Sequence, residues 1–240
     1  MILKDNPARR LKNILLRTSR YSSGERSTQH IWAHFFKIDE QDIVEVNRHL
    51  LMLVDLYREV QHMMDRIGAA GTNIVLRDLE GFERRLLPAN LTLSWTSLNT
   101  SPIMRALEFC EEVIEKNAEK DEIDEERRVG LYDDVEDLLT KIQESDVSPA
   151  LKAYIGERLE DIKRALEEYP LRGNTGIRHA LQSLIGAVTT HSQELRVHAD
   201  AFCEGLWSFL TKTATILTLA DHVDKLPAII ESFKALLLGR

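Results

Sequence analysis

Three small groups of side chains in this sequence could do chemistry. Arg172 and His179 stand with six residues between them. A guanidinium can hold a phosphate through paired hydrogen bonds, and an imidazole can move a proton near neutral pH. The pair therefore has the residue types that phosphodiester cleavage needs. His191, Glu194 and His198 fall at i, i+3 and i+7. On one helical face, two imidazoles and a carboxylate on adjacent turns could ligate zinc or iron. A further ligand would have to come from elsewhere, with Asp221 and His222 the nearest in sequence. His30 and His34 form an i, i+4 pair without the glutamate of a zincin helix. Each group also has a plainer reading. Arg172 can neutralise the end of a helix, and histidines and acids commonly decorate solvated helix faces. The plainer reading is preferred for all three, so the sequence predicts no catalytic residue, no metal and no cofactor.

The Arg172–His179 spacing resembles the Arg-x4–6-His signature of the HEPN ribonucleases. The resemblance rests on these two residues, and the next position, Gly173, is one where that family places a polar residue. It implies an all-helical protein in which Arg172 and His179 lie at the start of a helix, engage the scissile phosphate and pair across a dimer. Other signatures are absent from the sequence: GxxxxGK[ST], GxGxxG after a strand, a paired CxxC and GxSxG. Gly68-Ala69-Ala70-Gly71 reads as a helix stop.

Both C-terminal groups belong to a helical hairpin. Ser148 and Pro149 supply an N-cap hydroxyl and a proline at the first helical position. Leu151, Ile155, Leu159, Ile162, Leu166 and Tyr169 then recur at steps of four and three, an amphipathic helix. Residues 170–176, with Pro170, Gly173 and Gly176, predict a reversal. Ile177, Leu181, Leu184, Val188, Leu195 and Phe202 predict one continuous return arm.

The strongest periodicity lies upstream. Ile43, Val46, Leu50, Leu53, Tyr57, Val60, Met64 and Ile67 alternate by three and four over more than three heptads. Asp39 is the expected N-cap and Gly68 the stop. Such a seam packs lengthwise against another helix, in this chain or in a partner. Shorter helices are expected over 7–18, 28–37 and 74–87, then from Ser101 and from Leu131. Gly130 is expected to separate those last two. Residues 89–100 alternate but have no evident strand to pair with, and are expected to be an apolar loop. Leu206 to Ala220 is the most apolar stretch. It falls short of the roughly 20 residues that span a bilayer. A last helix is expected from Leu226. The fold class is therefore all-α: an irregular multi-helix bundle of about ten helices with a long central one.

Across 240 residues, hydrophobic side chains make up 43% and charged ones 29%, ordinary for a globular protein. The net charge of −8 is unevenly spread. Residues 1–26 hold seven bases and two acids, +5, whereas 108–146 hold sixteen acids and five bases, −11. Residues 1–38 are read as a basic arm and 39–240 as the bundle, with a possible subdivision near 130–148. The global charge argues against a dedicated nucleic-acid binder and leaves only a weak contact through Arg9, Arg10 and Arg17. Cys110 and Cys203 are expected to be free thiols in a reducing compartment, the cytoplasm, with no secretory signal and no membrane span.

These readings favour a non-enzymatic interaction or adaptor subunit of a larger prokaryotic-type assembly, partnered by protein or by itself. The alternatives are an RNA-cleaving toxin using Arg172 and His179, and a membrane-active effector inserting its C-terminal apolar helices.

Overall fold

The computed structural model describes residues 6–218 apart from 22–23, 25, 70, 73–76, 78, 80, 87–90, 97, 99, 118–122 and 124, and only the backbone of 214–218. Among the described residues the protein is all-α, with ten helices and no strand. The expected last helix from Leu226 lies outside them. The chain divides into two compact units, one spanning Asn6–Ala118 and the other taking up the chain from Glu119.

The first unit contains α1 (Pro7–Thr18), α2 (Thr28–Phe36), α3 (Ile43–Ile67), α4 (Phe82–Leu86) and α5 (Ser101–Asn117). Its axis is α3, which touches the other four. The heptad seam explains this: Val46, Leu50, Leu53, Tyr57, Val60 and Met64 are all buried, so the seam is satisfied within the chain. Its N-cap is Asp42 and not Asp39. The Asp42 carboxylate accepts the Glu45 amide at 2.9 Å, while Asp39 accepts Gln41 N–H in the preceding turn. Gly68, at φ 62°, ends the helix as expected.

Residues 1–38 were expected to form a basic arm with short helices. From Pro7 on, the helices α1 and α2 are present, and Leu11, Leu15, Ile31 and Trp32 are buried. Asn6 caps α1 by accepting the amides of Ala8 and Arg9, and its Nδ2 donates to Glu111 O at 3.0 Å. Of the helix expected over 74–87, Arg77 is helical and Phe82–Leu86 forms a short helix, with Gly81 at φ 75° just ahead of it; 74–76, 78, 80 and 87 lie outside the described residues. The 89–100 stretch does have a partner. Gly24 and Gln29 N–H donate to Trp95 and Leu91 O, Trp95 N–H donates to Arg26 O at 2.7 Å, and Thr28 N–H donates to Leu93 O. One antiparallel bridge, Ser27 with Ser94, results. Trp95 and Leu98 cover the core as the loop reading expected, and Leu93 is exposed.

The second unit contains α6 (Glu125–Glu144), α7 (Pro149–Glu167), α8 (Tyr169–Thr190), α9 (Ser192–His198) and α10 (Asp200–Thr218). Gly130 does not separate two helices; it lies inside α6. The hairpin of α7 and α8 is present, and α6 packs on α7 and α10. Leu138, Ile155, Leu159, Ile162, Leu184 and Phe202 share one core. The return arm is not continuous: it breaks at His191 (φ −111°) and again at Ala199 (φ −146°). Gly205 explains how α10 approaches α6, since a Cβ there would meet Leu138 at 3.2 Å and Lys141 at 3.0 Å.

The charge divides with the units. Residues 6–118 hold fifteen acids and fifteen bases, so they are formally neutral. Residues 119–240 hold 23 acids and 15 bases, which accounts for the whole −8.

Candidate functional site

The 170–176 reversal is tighter than the sequence predicts. α7 stops at Glu167, Glu168 is the joint, and the helical path resumes at Tyr169. Pro170 sits in the first turn, where its missing N–H costs nothing. The break comes at Gly173, at φ 55° and ψ −155°, a combination open to glycine and costly for other residues. Arg172 therefore lies just before the kink and His179 almost two turns after it. Both side chains are exposed. The Arg172 Nε lies 3.2 Å from the buried Glu168 carboxylate. The stem of Arg172 crosses Gly176, where an added Cβ would lie 2.7 Å from Arg172 Cβ. No hydrogen bond or ion pair joins Arg172 to His179 among the described residues. The arrangement pairs a cation with a buried carboxylate just ahead of the kink.

Glu194 has a clear local task. Its Oε1 accepts the Ser148 amide at 2.8 Å, at the start of α7. Ser148 was expected to cap that helix with its own hydroxyl, and makes no such bond. A carboxylate from α9 takes the place instead, where the helix dipole favours negative charge. The Ser148 amide and then its side chain hold the Glu194 carboxyl below the ordinary range, with His191 and His198 adding to the effect. His191 sits at the α8–α9 break with its ring 5.7 Å from that of Tyr154, edge to face. At the break His191 still bonds Ala187 O through its N–H and accepts the Leu195 N–H, at 3.3 and 3.1 Å. Among the described residues, no three His, Cys, Asp or Glu side chains are grouped to hold a metal. Asp221 and His222 lie outside the described residues.

His30 and His34 are i, i+4 neighbours on α2 with ring centroids 6.4 Å apart. His30 Nδ1 bonds Glu40 at 2.7 Å and its other nitrogen meets Arg26, while Tyr21 Oη meets His34 Nδ1 at 2.8 Å. The Glu40 contact ties α2 to the turn before α3, and the other two tie it to the segment ahead of α2.

Three bases of the N-terminal stretch are paired with acids inside its own unit. Arg9 bonds Glu111 at 2.9 Å and Glu115 at 2.6 Å, Lys12 also meets Glu111, and Arg10 bonds Glu59 at 2.9 Å. Burial pushes the Glu111 carboxyl up, but the bonds and charges of Lys12 and Arg9 outweigh it and bring it below the usual range. Arg17 is exposed. Cys110 and Cys203 are free and buried, and desolvation pushes both thiols up to about 11, away from reactivity. No helix among the described residues is long and apolar enough to cross a membrane.

One surface was not anticipated. Val44 is 80% exposed and Leu51 53%, seven residues apart on the face of α3 opposite its buried seam, and Ile43, at the head of that seam, is 52% exposed. The seam pattern drew attention to the other face. Apolar residues off the seam were a weak signal, because Met52, Val54 and Leu56 are equally off it and are buried. Comparison with protein-family models, curated proteins and solved structures finds no match.

Proposed function

We propose that this chain is a non-enzymatic helical interaction subunit, an adaptor or accessory component of a larger prokaryotic-type assembly acting in the cytoplasm. The observation that carries the proposal is the outward pairing of Val44 and Leu51 on α3, with Ile43 beside them. A lone exposed apolar residue is ordinary. Two at heptad spacing on a long helix, whose other face is already packed, form the kind of strip that a partner helix covers. Burying side chains of this size contributes about 1.5–3 kcal/mol each, enough for a pair of them to anchor a contact. Free buried thiols are in keeping with a reducing compartment.

The test is affinity capture from the native host with wild-type chain and with Val44→Ser/Leu51→Ser. The wild type is expected to retain a protein that the double variant loses at unchanged helical content. Equal retention by both would remove α3 from the interface, and no retention above background would overturn the reading. One observation favours the ribonuclease as a second reading: Arg172 and His179 both present exposed side chains on α8. His179→Ala is the discriminating variant. A folded His179→Ala chain that lost both cellular activity and RNA breakdown would replace the adaptor with the enzyme.

A further inference from the structure

The exposed α3 strip has an acidic setting. From Lys37 to Asp55 the chain carries five acids, Asp39, Glu40, Asp42, Glu45 and Asp55, against two bases, Lys37 and Arg48. The unit around it is formally neutral, so negative charge is concentrated beside the apolar strip. Arg48, which lies between Val44 and Leu51 along the helix, offers the strip little positive charge. Its guanidinium forks onto Glu45, Nε to Oε2 at 2.9 Å and Nη2 to Oε1 at 2.5 Å. Asp55 lies one turn beyond Leu51 with its side chain 73% exposed, and Arg58 is shared between Asp55 and Glu83.

A further exposed apolar residue is linked to the same edge. Leu93, 58% exposed, accepts Thr28 N–H at 2.9 Å. The neighbouring Gln29 donates through Nε2 to Glu40 O at 2.7 Å. The α2 start thus connects Leu93 to the turn from which Ile43 and Val44 emerge.

We propose that this edge docks an amphipathic helix of a partner protein whose polar flanks are rich in lysine and arginine. The inference rests on the interaction reading and names its partner class. The partner's apolar residues, at i and i+7, cover Val44 and Leu51, and its cations face Asp39, Asp42 and Asp55. Apolar burial supplies most of the affinity, while the charge sets orientation, on-rate and discrimination. An acidic amphipathic helix of the same apolar pattern meets repulsion on both flanks.

The test uses the full chain and two short synthetic helical peptides with the same leucine pattern, one filled with lysine and one with glutamate, read by fluorescence anisotropy. The leucine–lysine peptide is expected to bind and to weaken as salt rises. Val44→Ser/Leu51→Ser should weaken it about tenfold or more. Asp39→Asn/Asp55→Asn should weaken it about threefold and flatten the salt dependence. Equal binding of the glutamate peptide overturns the proposal, as does lysine-peptide binding that survives Val44→Ser/Leu51→Ser. A concentration-dependent dimer lost in that same variant would also overturn it, by making a second copy the occupant. If host capture still depends on Val44 and Leu51 while the peptides are not discriminated, the basic partner falls and the adaptor reading stands.

Discussion

At Gly173 the backbone sits at φ 55°, ψ −155°, and one residue decides whether α7 and α8 can fold back on each other. Gly173→Val is expected to cost about 1–3 kcal/mol, the penalty for forcing a side chain into such a region. A chemical-denaturation midpoint equal to wild type would show that the kink relaxes at no cost. Glu194 acts by charge. Its carboxyl is held below the ordinary range, chiefly by the Ser148 amide, so its folded value lies under its unfolded one. The stabilisation is therefore full above the ordinary carboxylate range and is lost as pH falls through the folded value. The expected result is a Tm for Glu194→Gln below wild type at neutral pH, with the gap closing below about pH 4. A gap independent of pH would assign the loss to shape, with charge playing no part.

Among the elements, α3 has the most to lose. Leu53 lies in the middle of the seam and is fully buried, so Leu53→Ala is expected to cost about 2–5 kcal/mol. A Tm within a degree of wild type would mean that the seam is not the core of its unit. The hairpin of α7 and α8 has a different economy. Its packing is ordinary apolar burial, but its ends depend on residues from outside each helix. Glu194 of α9 caps α7, and Tyr169 Oη accepts the Ile123 amide at 3.0 Å just ahead of α6. Polar groups at the ends thereby fix how the helices begin, and the stripes fix which faces meet.

For the whole molecule, the charge polarity visible along the chain has two outcomes. The basic stretch at the start is balanced within its own unit, where Arg9 and Lys12 converge on Glu111. The excess negative charge belongs to the unit that begins at Glu119. There too many acids are spent locally: Asp134 on Lys212, Asp137 on Lys141 and Glu136 on Lys163. Nucleic-acid affinity needs cations that are available to phosphates. We therefore expect no measurable binding of duplex DNA at physiological salt. Micromolar binding that falls steeply with salt and disappears in Arg17→Ala would contradict this.

By itself the sequence determined the all-α class, the long central helix and the position of its seam. Each follows from local periodicity, which a chain carries wherever it is folded. It also placed the glycine at which the hairpin turns, since Gly173 stands where Pro170 and the end of an apolar stripe had already marked a boundary. What the tertiary structure alone decided were the partners of polar groups. Glu194 on the Ser148 amide, Arg9 on Glu111 and the pairing of residues 24–29 with 91–95 join positions 46, 102 and more than 60 residues apart. No periodicity encodes such pairs. The exposure of Val44 and Leu51 was hidden for the same reason. On a helix with apolar residues on several faces, only the neighbours that arrive from elsewhere in the chain determine which face is left uncovered.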